Sequence, residues 1–221
     1  MCCRVVIYEN EKDDYVNSLK SLIKTEIDEQ TEFVYSYNIA PGVFIPVLYK
    51  DIVIKARSMR WGLIPFWSNN KKMTLFNARF ETAHIKPTFK ITLRKQRCLL
   101  PVNGYYEWKT NGKYKQPYYF YPKNKSLLFL AGLYDTSGNK HDQKIDTFTI
   151  LTKSADRNIS LIHDRMPVII KHVYCSRWLE IDTKISELEG LIDKETKINC
   201  HEVSDLVNNV RNDSDQLIEK I

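Results

Sequence analysis

Hydrophobic and polar positions along this chain alternate mostly with the period of strands, and only in places with that of helices. Residues 13–24 carry Tyr15, Val16, Leu19, Leu22 and Ile23 at helical spacing, which predicts an amphipathic helix. Cys3 to Tyr8 is a β-rich run, and residues 43–54 predict strands interrupted at Pro46, which has no amide hydrogen for a ladder. The centre is turn-punctuated β-structure, with strands expected over 97–102, 104–109, 117–121, 127–133 and 145–152. Asn111-Gly112 between two of these runs is a hairpin signal. Ser154 to Ile162 predicts a short capped helix, Val168 to Ile170 a buried strand, and 172–179 and 184–192 helices. Many short strands with helices at the edges imply an α+β fold, a curved, barrel-like, mainly antiparallel sheet flanked by helices. No repeat, no low-complexity stretch and only seven glycines leave no linker, so residues 1–221 are expected to form one domain.

Composition alters this picture little. A hydrophobic content of 43% and a charged content of 27% are ordinary for a globular chain. No window approaches the roughly 18 consecutive apolar residues of a membrane span, and the first residues hold no apolar run of signal-peptide length. The protein is therefore expected inside the cell, nuclear in a eukaryote and otherwise cytoplasmic, and away from membranes. Cys2, Cys3, Cys98, Cys175 and Cys200 are odd in number and irregular in spacing, which argues against a disulfide framework. With no Cys-x-x-Cys and no metal spacing among histidines 84, 141, 163, 172 and 201, neither a metal nor a cofactor is expected. Charge says more. The net +6 conceals a middle segment, 37–170, with 22 Lys and Arg against 8 Asp and Glu, between acidic ends. A block of net +14 is the footprint of a protein that meets phosphates.

The sharpest chemical feature lies at Met1-Cys2. Methionine aminopeptidase removes Met1 before a small residue such as Cys, and the product is a 1,2-aminothiol. An α-amino group titrates near 7.7–8.0, so roughly a tenth of it is free base at pH 7. Such an amine condenses with an aldehyde, and the neighbouring thiol can close on the imine to a five-membered thiazolidine. A sugar that has lost its base opens to an aldehyde. The bland alternative is that Cys2 simply begins a strand.

Further strings along the chain decide between these. They are Met1-Cys2 with Arg4, Tyr37-Asn38-Ile39-Ala40-Pro41, Met59-Arg60-Trp61-Gly62-Leu63-Ile64-Pro65 with Trp67, Asn77-Ala78-Arg79, and Glu81-Thr82. After them come Arg97-Cys98 with Pro101, Gly104-Tyr105-Tyr106-Glu107-Trp108, Ala131-Gly132-Leu133, His163-Asp164-Arg165-Met166-Pro167, then Asn208-Asn209 and Arg211-Asn212. In this order the sequence resembles the SOS-response-associated peptidase (SRAP) family, whose members process abasic sites in DNA, and the matches run from residue 1 to about 213.

The resemblance implies a single SRAP domain that senses abasic sites in single-stranded DNA and crosslinks to them through Cys2. Abasic-site lyase and autoproteolytic activities are implied beside it, in a protein of DNA repair and the SOS response acting as a monomer. Cys2 is the implied nucleophile and Asn77 the residue that orients the terminus. Glu107 is expected to carry protons from an apolar setting, and His163 to serve as general acid or base. Arg4, Arg79 and Arg165 are the implied phosphate contacts. Trp67 and Trp108, with Pro41, are the implied stacking or wedging surfaces, and Trp61 is expected in the core. Where the family usually has glycine after the catalytic cysteine this chain has Cys3, and Asp213-Ser214-Asp215 stands where proline is expected. Two further readings stay open, a cysteine peptidase pairing Cys2 with His163 and a non-covalent single-stranded DNA-binding module.

Overall fold

The computed structural model describes residues 2–9, 15–23, 33–68, 73–124, 126–138, 144–194 and 197–221. In chain order its strands begin with β1 (Val5–Ile7), β2 (Ser36–Ile39), β3 (Phe44–Lys50), β4 (Ile54–Trp61), β5 (Asn77–Arg79), β6 (Arg97–Val102) and β7 (Gly104–Asn111). They continue with β8 (Tyr114–Pro122), β9 (Leu128–Ser137), β10 (Ile145–Ser154), β11 (Arg165–Pro167), β12 (Ile169–Ile170) and β13 (Ile198–Glu202). The helices are α1 (Tyr15–Ile23), α2 (Phe80–Ala83), α3 (Pro87–Lys95), α4 (Cys175–Leu179) and α5 (Ile185–Leu188).

Five strands close a ring in the order β4, β3, β6, β9, β10, and β10 returns to β4 in the one parallel pairing of that ring. The other four pairings are antiparallel. A barrel has no open edge to protect. β5 and β11 continue along β10, and β12 pairs with β9. The second sheet runs β13, β8, β7, β1, β2 and is antiparallel throughout. The fold is α+β with a barrel-like, mainly antiparallel sheet flanked by helices, as the pattern predicts, and a second antiparallel sheet accompanies the barrel.

β6 is buried at every position and β9 at its first six. Both faces are covered because α3 and α4 lie against the outside of the ring and β1 of the second sheet crosses β6. Such two-sided burial removes the alternation that a half-exposed strand shows. Arg97 is buried within this layer. It donates to the carbonyls of Leu93 at 2.6 Å and Trp178 at 2.6 Å, and also to that of Glu180, so one guanidinium fastens the ends of α3 and α4 to β6. Trp61 is fully buried, as expected, and donates to Phe76 O at 3.0 Å.

Several expectations are corrected. Pro46 does not interrupt β3, which pairs with β4 along its whole length and with β6 only at Leu48 and Tyr49, so no ladder hydrogen on the β6 side is asked of it. Ser154 to Ile162 is not an α-helix. β10 runs through Ser154 because β11 pairs with it there, and only a single 3₁₀ turn forms, at Ile159–Leu161. Segments 172–179 and 184–192 each mix a 3₁₀ turn with a short α-helix. The hairpin loop is Gly112-Lys113, since Asn111 pairs with Tyr114, and Gly112 takes the positive φ of +61° that such a turn requires. For the predicted helix 13–24, Tyr15–Ile23 is observed with Tyr15, Leu19 and Ile23 buried; residues 13, 14 and 24 lie outside the described residues.

The second sheet has two faces. Val5, Ile7, Tyr105 and Phe120 point to the main core, and Val6, Tyr106 and Tyr119 gather Val203, Val207 and Leu217 on the other side. The C-terminal segment is tied there by Asn38, whose amide donates to the carbonyls of Asn209 (3.0 Å) and Asn212 (2.8 Å). Gly104 begins β7, paired with Val6 of β1, and a Cβ there would meet Phe120 O at 2.5 Å and the Tyr119 ring at 2.5 Å. We expect Gly104→Ala to destabilise the protein by about 2–3 kcal/mol, read as a lower urea midpoint at unchanged slope.

Candidate nucleophile site

Three segments bring the site together. β1 pairs with β7 through Val5 with Tyr105 and Val6 with Gly104, which lays the terminal residues Cys2 and Cys3 alongside Glu107. β5 pairs with β10 through Asn77 with Ile150, and this places Asn77 beneath the same terminus. His163 comes from the excursion 155–164, which leaves β10 at Ser154 and returns at Arg165, a pair in the ladder.

Asn77 Nδ2 donates to Cys3 Sγ at 3.3 Å, while Asn77 Oδ1 is buried with no hydrogen-bond partner. In this chain the amide therefore meets the terminal segment at Cys3, the position the family resemblance marks as unusual. Glu107 is buried, with Oε2 3.9 Å from His163 Nε2. His163 Nδ1 accepts the Arg165 amide hydrogen at 3.0 Å, which leaves the ring proton of the neutral form on Nε2, facing Glu107. The Asp164 carboxylate, 3.1 Å from the same Nδ1, competes by favouring a proton there, but its side chain is 87% exposed and water screens it. The part-buried, directed backbone contact therefore sets the tautomer.

Burial dominates the electrostatics. It pushes the Glu107 carboxyl up to about 7, lowers the His163 ring, and raises the thiols of Cys2 and Cys3. Each shift favours the neutral form, because a charge is poorly solvated in this interior. Cys2 itself has no exposed surface. Tyr105, two residues before Glu107 on the same face of β7, also places a hydroxyl in this layer without a hydrogen-bond partner. The sequence reading gave Tyr105 no role, and its place in an alternating strand two before Glu107 was the available signal.

The chain resembles known proteins along nearly its whole length. A family model described as SOS response associated peptidase (SRAP) matches residues 1–210. The chain belongs to the SRAP family. An abasic site processing protein of Bacillus subtilis, YoaM, is 33% identical over 99% of this chain and 98% of its own length. The abasic site processing protein YedK of Escherichia coli is 31% identical over the full length of both. One from Saccharomyces cerevisiae is 33% identical over 86% of this chain, which spans 54% of that relative. A crystal structure of a Bacteroides thetaiotaomicron protein matches the fold with a TM-score of 0.83 at 24% identity, covering both chains entirely.

Around this SRAP core the arginines fall into different situations. Arg4 donates to Asn38 Oδ1 at 2.5 Å and to Val207 O at 2.8 Å, and lies over the Trp108 ring at 5.8 Å. Arg165 is engaged through its terminal nitrogens, while its buried Nε has no hydrogen-bond partner. Its two terminal nitrogens bond both Glu81 oxygens (2.8 and 2.9 Å), Thr152 O at 2.7 Å and Ser154 Oγ at 3.4 Å. Arg79 is exposed and continues the β5 face that carries Asn77. Trp108 donates to Asn208 Oδ1 at 2.8 Å and is half-buried; Pro41 is half-buried as well. Trp67 is 51% exposed on a loop fixed by two buried acceptors, Thr147 taking the Ile64 amide at 3.0 Å and Asp135 the Phe66 amide at 2.9 Å.

A cavity of about 500 Å³ floored by Phe80, Leu93, Ile185 and Ile192 touches this region only through Glu81 and Ser154. Cys2, Glu107 and His163 are not in it. Among the described residues no group of three or more His, Cys, Asp or Glu is gathered to hold a metal, and no helix is long and apolar enough to cross a membrane.

The raised Glu107 carboxyl has a consequence for stability. A group whose folded value lies above its unfolded 4.5 contributes fully below 4.5, and the contribution is lost as pH rises through about 7. Glu107→Gln is therefore expected to match the parent near pH 4–5 and to exceed it at pH 8–9, by at most about 3 kcal/mol. Denaturant titrations at both ends of that range check it, and equal stability differences at the two pH values would refute it.

Proposed function

We propose that this chain captures abasic sites in single-stranded DNA covalently, through Cys2 once Met1 has been removed. The observation that carries the reading is the meeting of the terminal cysteines, Asn77, Glu107 and His163 in one buried place, with a carboxyl raised to about 7. Its relatives' names, abasic site processing proteins, supply the substrate class.

The chemistry is one of proton handling. The free Cys2 amine attacks the open-chain sugar aldehyde, and loss of water gives an imine. The Cys2 Sγ then adds to the imine carbon while its proton passes to nitrogen, closing a thiazolidine with no other reactant. A carboxyl near 7 exists in both forms at neutral pH, so Glu107 can protonate the departing oxygen and later accept a proton. His163, neutral and with its Nε2 proton toward Glu107, serves as the acid that assists sugar-ring opening. The unsatisfied Asn77 Oδ1 is an acceptor for the freed amine, and a neutral amide orients an amine without raising its pKa as a carboxylate would. The same imine can instead lose the 3′ phosphate by β-elimination, so lyase activity is a secondary role, and release of Met1 by the chain itself another.

Arg79 is the proposed principal phosphate contact, with Arg4 and Arg165 beside it at the edges left by their internal partners. Trp67, Trp108 and Pro41 form the proposed stacking and wedging surface, which is indifferent to base identity. The peptidase reading is weaker, because burial holds the Cys2 thiol protonated. A purely non-covalent module would have no use for a carboxyl buried beside the terminus.

Intact mass after mixing the Met1-free protein with an oligonucleotide bearing one abasic site should show a heat-stable adduct. Cys2→Ala should abolish it; an adduct that persists unchanged would refute the mechanism. Arg79→Ala should weaken binding to any single strand and reduce the salt slope by about one phosphate contact, seen by anisotropy at several salt concentrations.

A further inference from the structure

We propose that Glu81 is the positioning residue of this site, acting on His163 by clamping the base of the excursion that carries it. The inference rests on the reading of His163 as the site's acid. Glu81 stands on α2, directly after the strand bearing Asn77 and Arg79, and has no contact with the terminal cysteines among those described. Its carboxylate does something more specific than pair with a surface arginine. Oε1 accepts the Ser154 amide hydrogen at 3.0 Å, and both oxygens take the Arg165 fork at 2.8 and 2.9 Å. Ser154 and Arg165 are the two stems of the 155–164 excursion and face each other in the ladder. One side chain thus grips both stems.

The stem at Arg165 leads straight to the histidine. The Arg165 backbone amide donates to His163 Nδ1 at 3.0 Å and so holds the proton of the neutral ring on Nε2, 3.9 Å from Glu107. Arg165 Nη2 also bonds Thr152 O at 2.7 Å, which fixes the fork to β10. The Ala155 amide reaches Asp164 O at 2.9 Å and closes the neck one step further in. Within the excursion the His163 amide donates to the carbonyl of buried Ile159 at 3.1 Å, so the short 3₁₀ turn anchors the histidine on one side and the clamped stem on the other. The charged groups acting on the ring are the chain's α-amino terminus, which lowers its pKa, Asp164 beside it and Arg165 from β11, with Glu107 from β7 opposite Nε2. Bidentate carboxylate–guanidinium geometry supplies direction as well as attraction, which a lone carboxylate on a helix end does not. The Arg165 interaction also holds the Glu81 carboxyl down to about 2, so the clamp is charged throughout the working range.

Glu81→Gln keeps the shape of the side chain and removes the charge that the fork requires. Two measurements test the proposal, one of which makes no use of DNA. The first is the titration of the His163 ring, followed by NMR of isotope-labelled histidine with His163→Ala used for assignment. Release of the excursion exposes the ring, so its pKa is expected to rise toward the ordinary value near 6.5. Electrostatics alone would act the other way, since losing Glu81 leaves Arg165 uncompensated and lowers the ring further. An unchanged or lowered His163 pKa in a folded Glu81→Gln protein overturns the proposal. The second is the pH profile of crosslinking at saturating abasic oligonucleotide. Glu81→Gln is expected to cost about 10-fold in rate, with oligonucleotide affinity within about 2-fold of the parent, and no further loss in a His163→Ala background. Full additivity with His163→Ala overturns it. Where Glu81→Gln does not fold, Glu81→Asp, which keeps the charge with a shorter reach, is put through the same two measurements. If the parent forms no adduct at all, the functional reading fails while the ring titration still decides the role of Glu81.

Discussion

Strand β10 is the constraint on which the rest of the molecule depends. Its ten residues satisfy ladder hydrogen bonds with β9 and β4 to close the barrel, and further along with β5 and β11. No shift of its register is possible without breaking all four pairings, because a one-residue slip would turn its buried face to the outside. Two of the site's groups are hung from this strand. Asn77 lies opposite Ile150, and the excursion carrying His163 departs and returns at its end. The other partners, Glu107 and the terminal cysteines, come from the second sheet. The site is therefore a junction between two rigid layers, a rigid setting of the kind reacting groups need.

Burial is what gives that junction its chemistry. The same desolvation raises a carboxyl, raises two thiols and lowers an imidazole, so the groups meet in neutral forms, and Glu107, at about 7, is the one placed to give or take a proton near neutral pH. A carboxylate held at its ordinary value would be permanently charged and a poor acid. The arginines show the opposite use of charge. Arg97 and Arg165 are spent internally on carbonyls and a carboxylate, while Arg79 remains outward on the edge of the site. A charge count along the chain sums these alike, though a guanidinium bonded inside the protein has less left to offer a phosphate.

The strings read from the sequence turn out to serve two purposes. Asn38 of the Tyr37–Pro41 string, with Asn209 and Asn212 near the other end, fastens the C-terminal segment to the outer face of the second sheet. Arg97 and Trp61 hold the barrel together. Glu107, His163 and Asn77 meet at the terminus. Adjacency in the sequence gives no hint of this division, since Glu81 and Arg165 are 84 residues apart and meet only because β5 and β11 both pair with β10.

The local pattern was sufficient wherever a strand was long enough to show an apolar or alternating run or a turn had its own chemistry. β6 was legible residue for residue, β7 to β10 in position, the Gly112 hairpin in kind, and α1 from its apolar stripe. The short edge elements were not. β5, β11 and β13 hold three to five residues each and form because a neighbouring strand offers hydrogen bonds, which no window of the sequence contains. Ser154 to Ile162 read as a helix for the same reason, its competing partner being β11, eleven residues on. The sequence by itself determined which side chains were available for the chemistry and that the chain would be a strand-rich α+β protein with a basic middle. Only the tertiary structure decided that Asn77 would meet Cys3, that Glu107 would be buried against His163, and that Glu81 would hold both stems of the histidine's excursion. These are long-range contacts, and their energies come from desolvation and from directed hydrogen bonds that exist only once the two sheets are in place.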